Sequence, residues 1–126
     1  MNRENLLKVR EDIANADPKH CNMRHWYCGG VMCIGGFADR RSLVEDRRSL
    51  VEGSADRNVL SLTAARDYLE LTYEEEKKLF FNYPDNEPEI GWKAWMLRRI
   101  DSTLRNGTVP ILSEEELEGK EDPEEL

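Results

Sequence analysis

Apolar positions along the chain recur at helical spacing in several stretches separated by short polar or proline-containing links. In residues 2–16, Leu6, Val9, Ile13 and Ala16 fall on one stripe while Arg3, Lys8, Glu11 and Asp12 face water. Asn2 opens this helix and Asp17-Pro18 stops it. Residues 19–28 have no period and read as an irregular connector. The doubled glycine Gly29-Gly30 then starts a second helix, VMCIGGFADRR, with Val31, Met32, Cys33, Ile34, Phe37 and Ala38 all round its axis, which predicts burial on most sides. Within it, Gly35-Gly36 cost about 1 kcal/mol each relative to alanine, so either another backbone packs closely there or the helix is short.

Residues 39–52 are the heptad DRRSLVE written twice, with Leu43, Val44, Leu50 and Val51 on one stripe and arginines and acids beside it. Two heptads are too few for a coiled coil. The repeat therefore reads as a duplication that lengthens an exposed helix, or as a helix offering a partner its Leu/Val seam with arginines alongside. Residues 60–71 place Leu62, Ala65, Leu69 and Tyr68 inward. Thr72 and Glu75 form a capping box for a helix through Phe81. Tyr83-Pro84 and Glu87-Pro88 bound a turn before the longest helix, residues 89–106. Its inward face is predicted from Ile90, Ala94, Leu97, Ile100 or Asp101, and Leu104, and Asn106-Gly107 is its C-cap. No strand is predicted. The expectation is an all-α, compact bundle of five or six short helices in a single domain over residues 1–112, followed by a disordered acidic tail, residues 113–126.

Charge changes this picture in one respect. The net charge of -8 resides mostly in residues 113–126, where eight acids stand against Lys120, so the body is nearly neutral. A nucleic-acid mimic needs phosphate-like charge spread over a folded surface, which this body lacks. Three cysteines are an odd number, and the first residues mix both charges without an apolar core. Free thiols in a reducing cytosol are the expectation, and the longest apolar-plus-glycine run is too short to span a membrane.

Candidate chemistry concentrates in residues 20–38, which hold both histidines, all three cysteines, Trp26 and the doubled glycines. His20, Cys21, His25, Cys28 and Cys33 are soft or borderline ligands close in sequence, but no C-x-x-C or H-x-x-x-H spacing appears. Cysteines filling tight places as small hydrophobes need no special geometry, so no metal and no cofactor is assigned. His25 precedes Cys28 by three residues, yet no orienting acid or amide is placed for a catalytic thiol, and no catalytic residue is assigned. The amides of Gly29, Gly30 and Val31 at a helix start could hold an anion, with Trp26 or Tyr27 stacking on a base. Glu74, Glu75 and Glu76 would repel phosphates from the one segment that looks like a helix-turn-helix, so specific DNA binding is not expected. A partner surface is expected at Arg40, Arg41, Arg47 and Arg48, near Trp92 and Trp95, or in the tail.

Residues 26–38, WYCGGVMCIGGFA, resemble the W-x-C-G-T-x-A-C-I-A-G-H-A pattern of small proteins frequent in bacteriophage and prophage genomes. Residues 65–80 resemble the A-x-x-x-L-G-L-S-x-x-E-x-x-x-L-F segment that follows it in those proteins. Gly30 stands where the pattern has Thr, and Phe37 where it has His. The resemblance implies a phage-type accessory protein, and the family supplies no activity to carry over. The expected function is non-catalytic: an accessory or inhibitor protein in a bacterial cytoplasm, binding a host or defence protein. The alternatives are capture of a small nucleotide or anion at the glycine-rich helix start, and a zinc-stabilised module. Homo-oligomerisation is left open.

Overall fold

The structure is a computed structural model that describes residues 1–26, 30–45 and 62–112. Asn2 starts the first helix, α1 (Arg3–Asn15), because its side-chain oxygen accepts the otherwise unpaired Asn5 amide at 2.9 Å. Leu6, Val9 and Ile13 are buried along the predicted stripe. The helix ends where Ala16 turns extended, and Asp17 then caps a single 3-10 turn, Pro18–His20.

The next segment departs from the predicted helix. Cys21 and Met32 form an isolated parallel bridge, in which the Met32 amide donates to the His20 carbonyl at 2.9 Å and the Met32 carbonyl accepts the Asn22 amide at 3.1 Å. These bonds hold the chain extended at Met32, so no helix runs from Gly30 into Met32. Helix α2 (Ile34–Glu45) begins only after Cys33, whose carbonyl accepts the Phe37 amide at 3.0 Å and whose Sγ accepts the Gly36 amide at 3.4 Å. The first copy of the DRRSLVE repeat is the C-terminal half of α2 and not a separate helix. The second copy and the acidic tail lie outside the described residues.

Helix α3 (Leu62–Leu69) ends at Glu70, in the left-handed region at φ 53. The capping box of Thr72 and Glu75 then opens α4 (Tyr73–Phe80) as predicted. Helix α5 (Trp92–Asn106) is the longest, and Gly107 closes it with φ 76, its amide donating to the Thr103 carbonyl at 3.0 Å. Among the described residues the fold is all-α, five helices and one 3-10 turn, with no strand beyond the isolated bridge.

Helix α2 packs on α3, α1 and α4, and α1 also lies along α5. Contacts at both ends show that α1 and α5 run antiparallel. Arg3 donates to the Leu104 carbonyl at 2.6 Å, Arg10 grips Asp101 at 2.5 and 3.1 Å, and Lys93 donates to the Ala14 and Ala16 carbonyls at the C-terminal end of α1. Lys93 thereby supplies a cation where the α1 dipole is negative.

Ile100 and Leu104 are buried on α5 as predicted, and the inward face differs from the predicted one at its N-terminal end. Trp92, Trp95 and Met96 are buried, while Ile90 is 40% exposed and Ala94 only half-buried. Two indoles offer far more apolar area than Ile90 and Ala94, and burying them rotates the helix. Trp92 meets Trp95 edge-on at 6.1 Å and Tyr83 at 6.2 Å. The rotation also carries Arg99 into the core, where it donates to the Lys78 carbonyl at 2.9 Å. Buried Glu76 is answered by Arg66 at 3.2 Å.

Candidate functional site

Trp26 is the centre of the segment that the sequence singles out. Its indole lies against Gly35 and its own carbonyl oxygen against Gly36. A Cβ on Gly35 would collide with the indole ring, and one on Gly36 with the Trp26 carbonyl oxygen while also crowding the Met32 Cβ at 3.0 Å. The paired glycines therefore form a notch in the first turn of α2 that admits a tryptophan and its backbone. Close approach of another backbone is what their cost suggested. The indole N–H points to the Asp39 carboxylate at 3.4 Å, and Asp39 is itself buried.

Two further rings meet this indole. Phe80 stands edge-on at 5.6 Å and Phe81 stacks at 6.4 Å with 19° between the planes. Phe80 is buried but Phe81 is 50% exposed. Tyr73, Lys77 and Phe81 follow one another at four-residue spacing, so they share one face of α4, and the Lys77 ammonium sits 4.3 Å from the centre of the Tyr73 ring. Tyr73 is 61% exposed. The result is an outward stripe of tyrosine, lysine and phenylalanine whose last ring is held by Trp26.

Other predicted site residues are placed differently. Gly30 adopts φ +89 with open space around it, so its role is conformational. Tyr27 and Gly29 lie outside the described residues. The helix start expected at the doubled glycine is corrected, since α2 begins at Ile34, and the Trp26 indole packs against Gly35. Trp92 and Trp95 are core residues and offer no docking surface. Arg47 and Arg48 lie outside the described residues.

Arg41 belongs to an internal network, pairing with Glu45 at 3.2 Å and Asp12 at 3.5 Å, while Lys8 reaches Glu45 at 3.3 Å. Burial pushes the Tyr68 hydroxyl up to about 12, and the nearby Glu45 carboxylate acts in the same direction. Burial works against the Glu45 carboxylate, but Tyr68, Lys8 and Arg41 together hold it below its usual range. Arg40 is exposed and makes no ion pair among the described residues. With His20 it lines a groove of about 460 Å³ between the C-terminal end of α1 and α2.

The Cys21 and Cys33 thiols are held protonated. Burial pushes Cys33 up to about 11 against the opposing pull of the Gly36, Gly35 and Cys33 amides, and burial also raises Cys21. His25 is exposed, and its amide closes a turn onto the Asn22 carbonyl at 3.2 Å. Among the described residues no three His, Cys, Asp or Glu side chains converge as a metal site requires, and Cys28 lies outside them. No helix among the described residues is long and apolar enough to cross a membrane.

Sequence reasoning missed Asp39, Tyr73 and Phe81. The four-residue spacing from Tyr73 to Phe81 was a visible signal for the stripe. Nothing local marked Asp39 as buried, because its identical heptad copy begins with Asp46. Comparisons with protein-family models, curated proteins and solved structures find no match to this chain.

Proposed function

We propose that this is a non-catalytic protein that acts by binding another protein, as a phage-type accessory or inhibitor of a host or defence component in the bacterial cytoplasm. The observation that carries the reading is the half-exposed Phe81 ring stacked on a Trp26 that is itself locked into the Gly35-Gly36 notch. An exposed aromatic held in one orientation gives up little conformational freedom on docking, and such residues dominate the energetics of protein interfaces. Tyr73 and Lys77 extend the same surface with an amphipathic ring and a cation. The two buried thiols, kept protonated by their surroundings, suit packing better than nucleophilic attack.

Replacement of Phe81 and Tyr73 by serine tests this directly. Both side chains are exposed, so the variants should keep wild-type helicity. The protein that co-purifies with the wild type from host cells should then be lost, because truncating a central aromatic weakens an interface by about 2 kcal/mol or more, roughly 30-fold. Undiminished co-purification with the double variant refutes the assignment.

A further inference from the structure

The outward stripe of α4 has a lysine at its centre. Tyr73, Lys77 and Phe81 are all exposed, and Lys77 stands four residues from each ring. Its ammonium lies 4.3 Å from the centre of the Tyr73 ring, so it is held down on the stripe rather than extended into water. Among the described residues no carboxylate forms an ion pair with it. Two of the acids on α4 are committed elsewhere: Glu75 accepts the Thr72 amide at 3.0 Å and the Thr108 hydroxyl at 3.2 Å, and buried Glu76 meets Arg66 at 3.2 Å. Glu74 stands four residues before Lys78 at the edge of the stripe, so those two charges offset each other and Lys77 is left over.

We infer that the protein docked on this stripe presents a carboxylate between two apolar side chains, the acid against Lys77 and the apolar groups against Tyr73 and Phe81, an assignment that rests on the stripe being the binding surface proposed above. Any surface that covers both rings also covers the ammonium between them, and a cation taken out of water is costly unless an opposite charge meets it. Tyr73 to Phe81 spans about 12 Å of helix axis, at about 1.5 Å per residue. An extended segment places side chains i, i+2 and i+4 on one face over about 13 Å. An acid with apolar residues at alternate positions on either side therefore matches the stripe in both spacing and charge. A neutral residue at the middle position leaves the covered ammonium unanswered, and a basic one repels it.

The test uses three short serine-rich peptides in which two leucines flank a central glutamate, glutamine or lysine at alternate positions, each titrated into the isotope-labelled full chain and followed by nuclear magnetic resonance. Resonances of Tyr73, Lys77 and Phe81 should move with the glutamate peptide, which should bind about fivefold or more tighter than the glutamine peptide, with the lysine peptide weaker still. Lys77→Gln should bring the glutamate and glutamine peptides level, while Lys19→Gln, on the 3-10 turn, leaves the preference in place. Both lysines are exposed, so neither replacement endangers the fold. Phe81→Ser should weaken the glutamate and glutamine peptides alike. Equal binding of those two peptides at the stripe overturns the acidic partner while leaving the aromatic surface standing, and a glutamate preference that survives Lys77→Gln also overturns it. No shift at Tyr73, Lys77 and Phe81 with any of the peptides overturns both.

Discussion

Replacing Gly36 by alanine sets two opposing terms against each other. On helix propensity alone, alanine stabilises a helical position by about 1 kcal/mol over glycine. Here, however, the new methyl group collides with the Trp26 carbonyl oxygen and crowds the Met32 Cβ, and a backbone oxygen cannot rotate away. Relief requires withdrawal of Trp26, which loosens its contacts with Phe80 and Phe81 and its bond to Asp39. Each ring contact contributes about 0.5 to 1.5 kcal/mol and the hydrogen bond about 1. Loss or strain of about 2 to 4 kcal/mol, less the propensity gain, leaves a net destabilisation of about 1 to 3 kcal/mol. For a chain of this size that is a fall in Tm of roughly 4 to 12 °C. Thermal unfolding followed by circular dichroism gives the answer, with tryptophan emission reporting whether an indole has moved toward water. The sign decides the matter: a Gly36→Ala protein melting at or above the wild type refutes the notch. Gly30→Ala is the informative contrast, because it meets no atom within 4 Å and pays only for its φ of +89, about 1 to 2 kcal/mol.

Two further outcomes follow from buried groups. Asp39→Ala removes the carboxylate facing the Trp26 indole N–H and should destabilise the fold by about 1 to 3 kcal/mol, with a red shift in tryptophan emission; an unchanged emission maximum contradicts the anchoring role. Tyr68 is pushed up to about 12 and Cys33 to about 11, so both ionise more readily in the unfolded chain. Their contribution is fully present below their unfolded values and is lost as pH rises toward the folded ones, so urea stability should decline between about pH 9 and 12. Tyr68→Phe should flatten the upper part of that decline, and an identical profile in the variant would count against the Tyr68–Glu45 link.

Helices with a complete local signal were legible in the sequence. Asn2 caps α1, Thr72 with Glu75 caps α4, and Gly107 closes α5, each through bonds within a few residues. Long-range competition hid the rest. The Gly29-Gly30 segment looked like a helix start because its apolar residues surround an axis, but a bridge to Cys21, more distant in sequence, fixes Met32 as extended. On α5 the apolar spacing of Ile90, Ala94 and Leu97 was real, yet the volume of Trp92 and Trp95 decided which face went inside. The glycine notch was half visible: the cost of Gly35-Gly36 asked for a close neighbour without saying which one. Trp26 sits before them in the chain as a connector residue, and only the tertiary fold brings it onto α2.

The most direct measurement of the central claim is site-specific photo-crosslinking in bacterial cells, with a benzophenone amino acid replacing Phe81 and, as control, Leu7, which is also exposed but lies on α1. The account predicts one discrete heavier adduct from position 81 under light and none from position 7. Absence of an adduct at 81, or equal labelling from both positions, would contradict the assignment of the Trp26-supported ring as the binding surface.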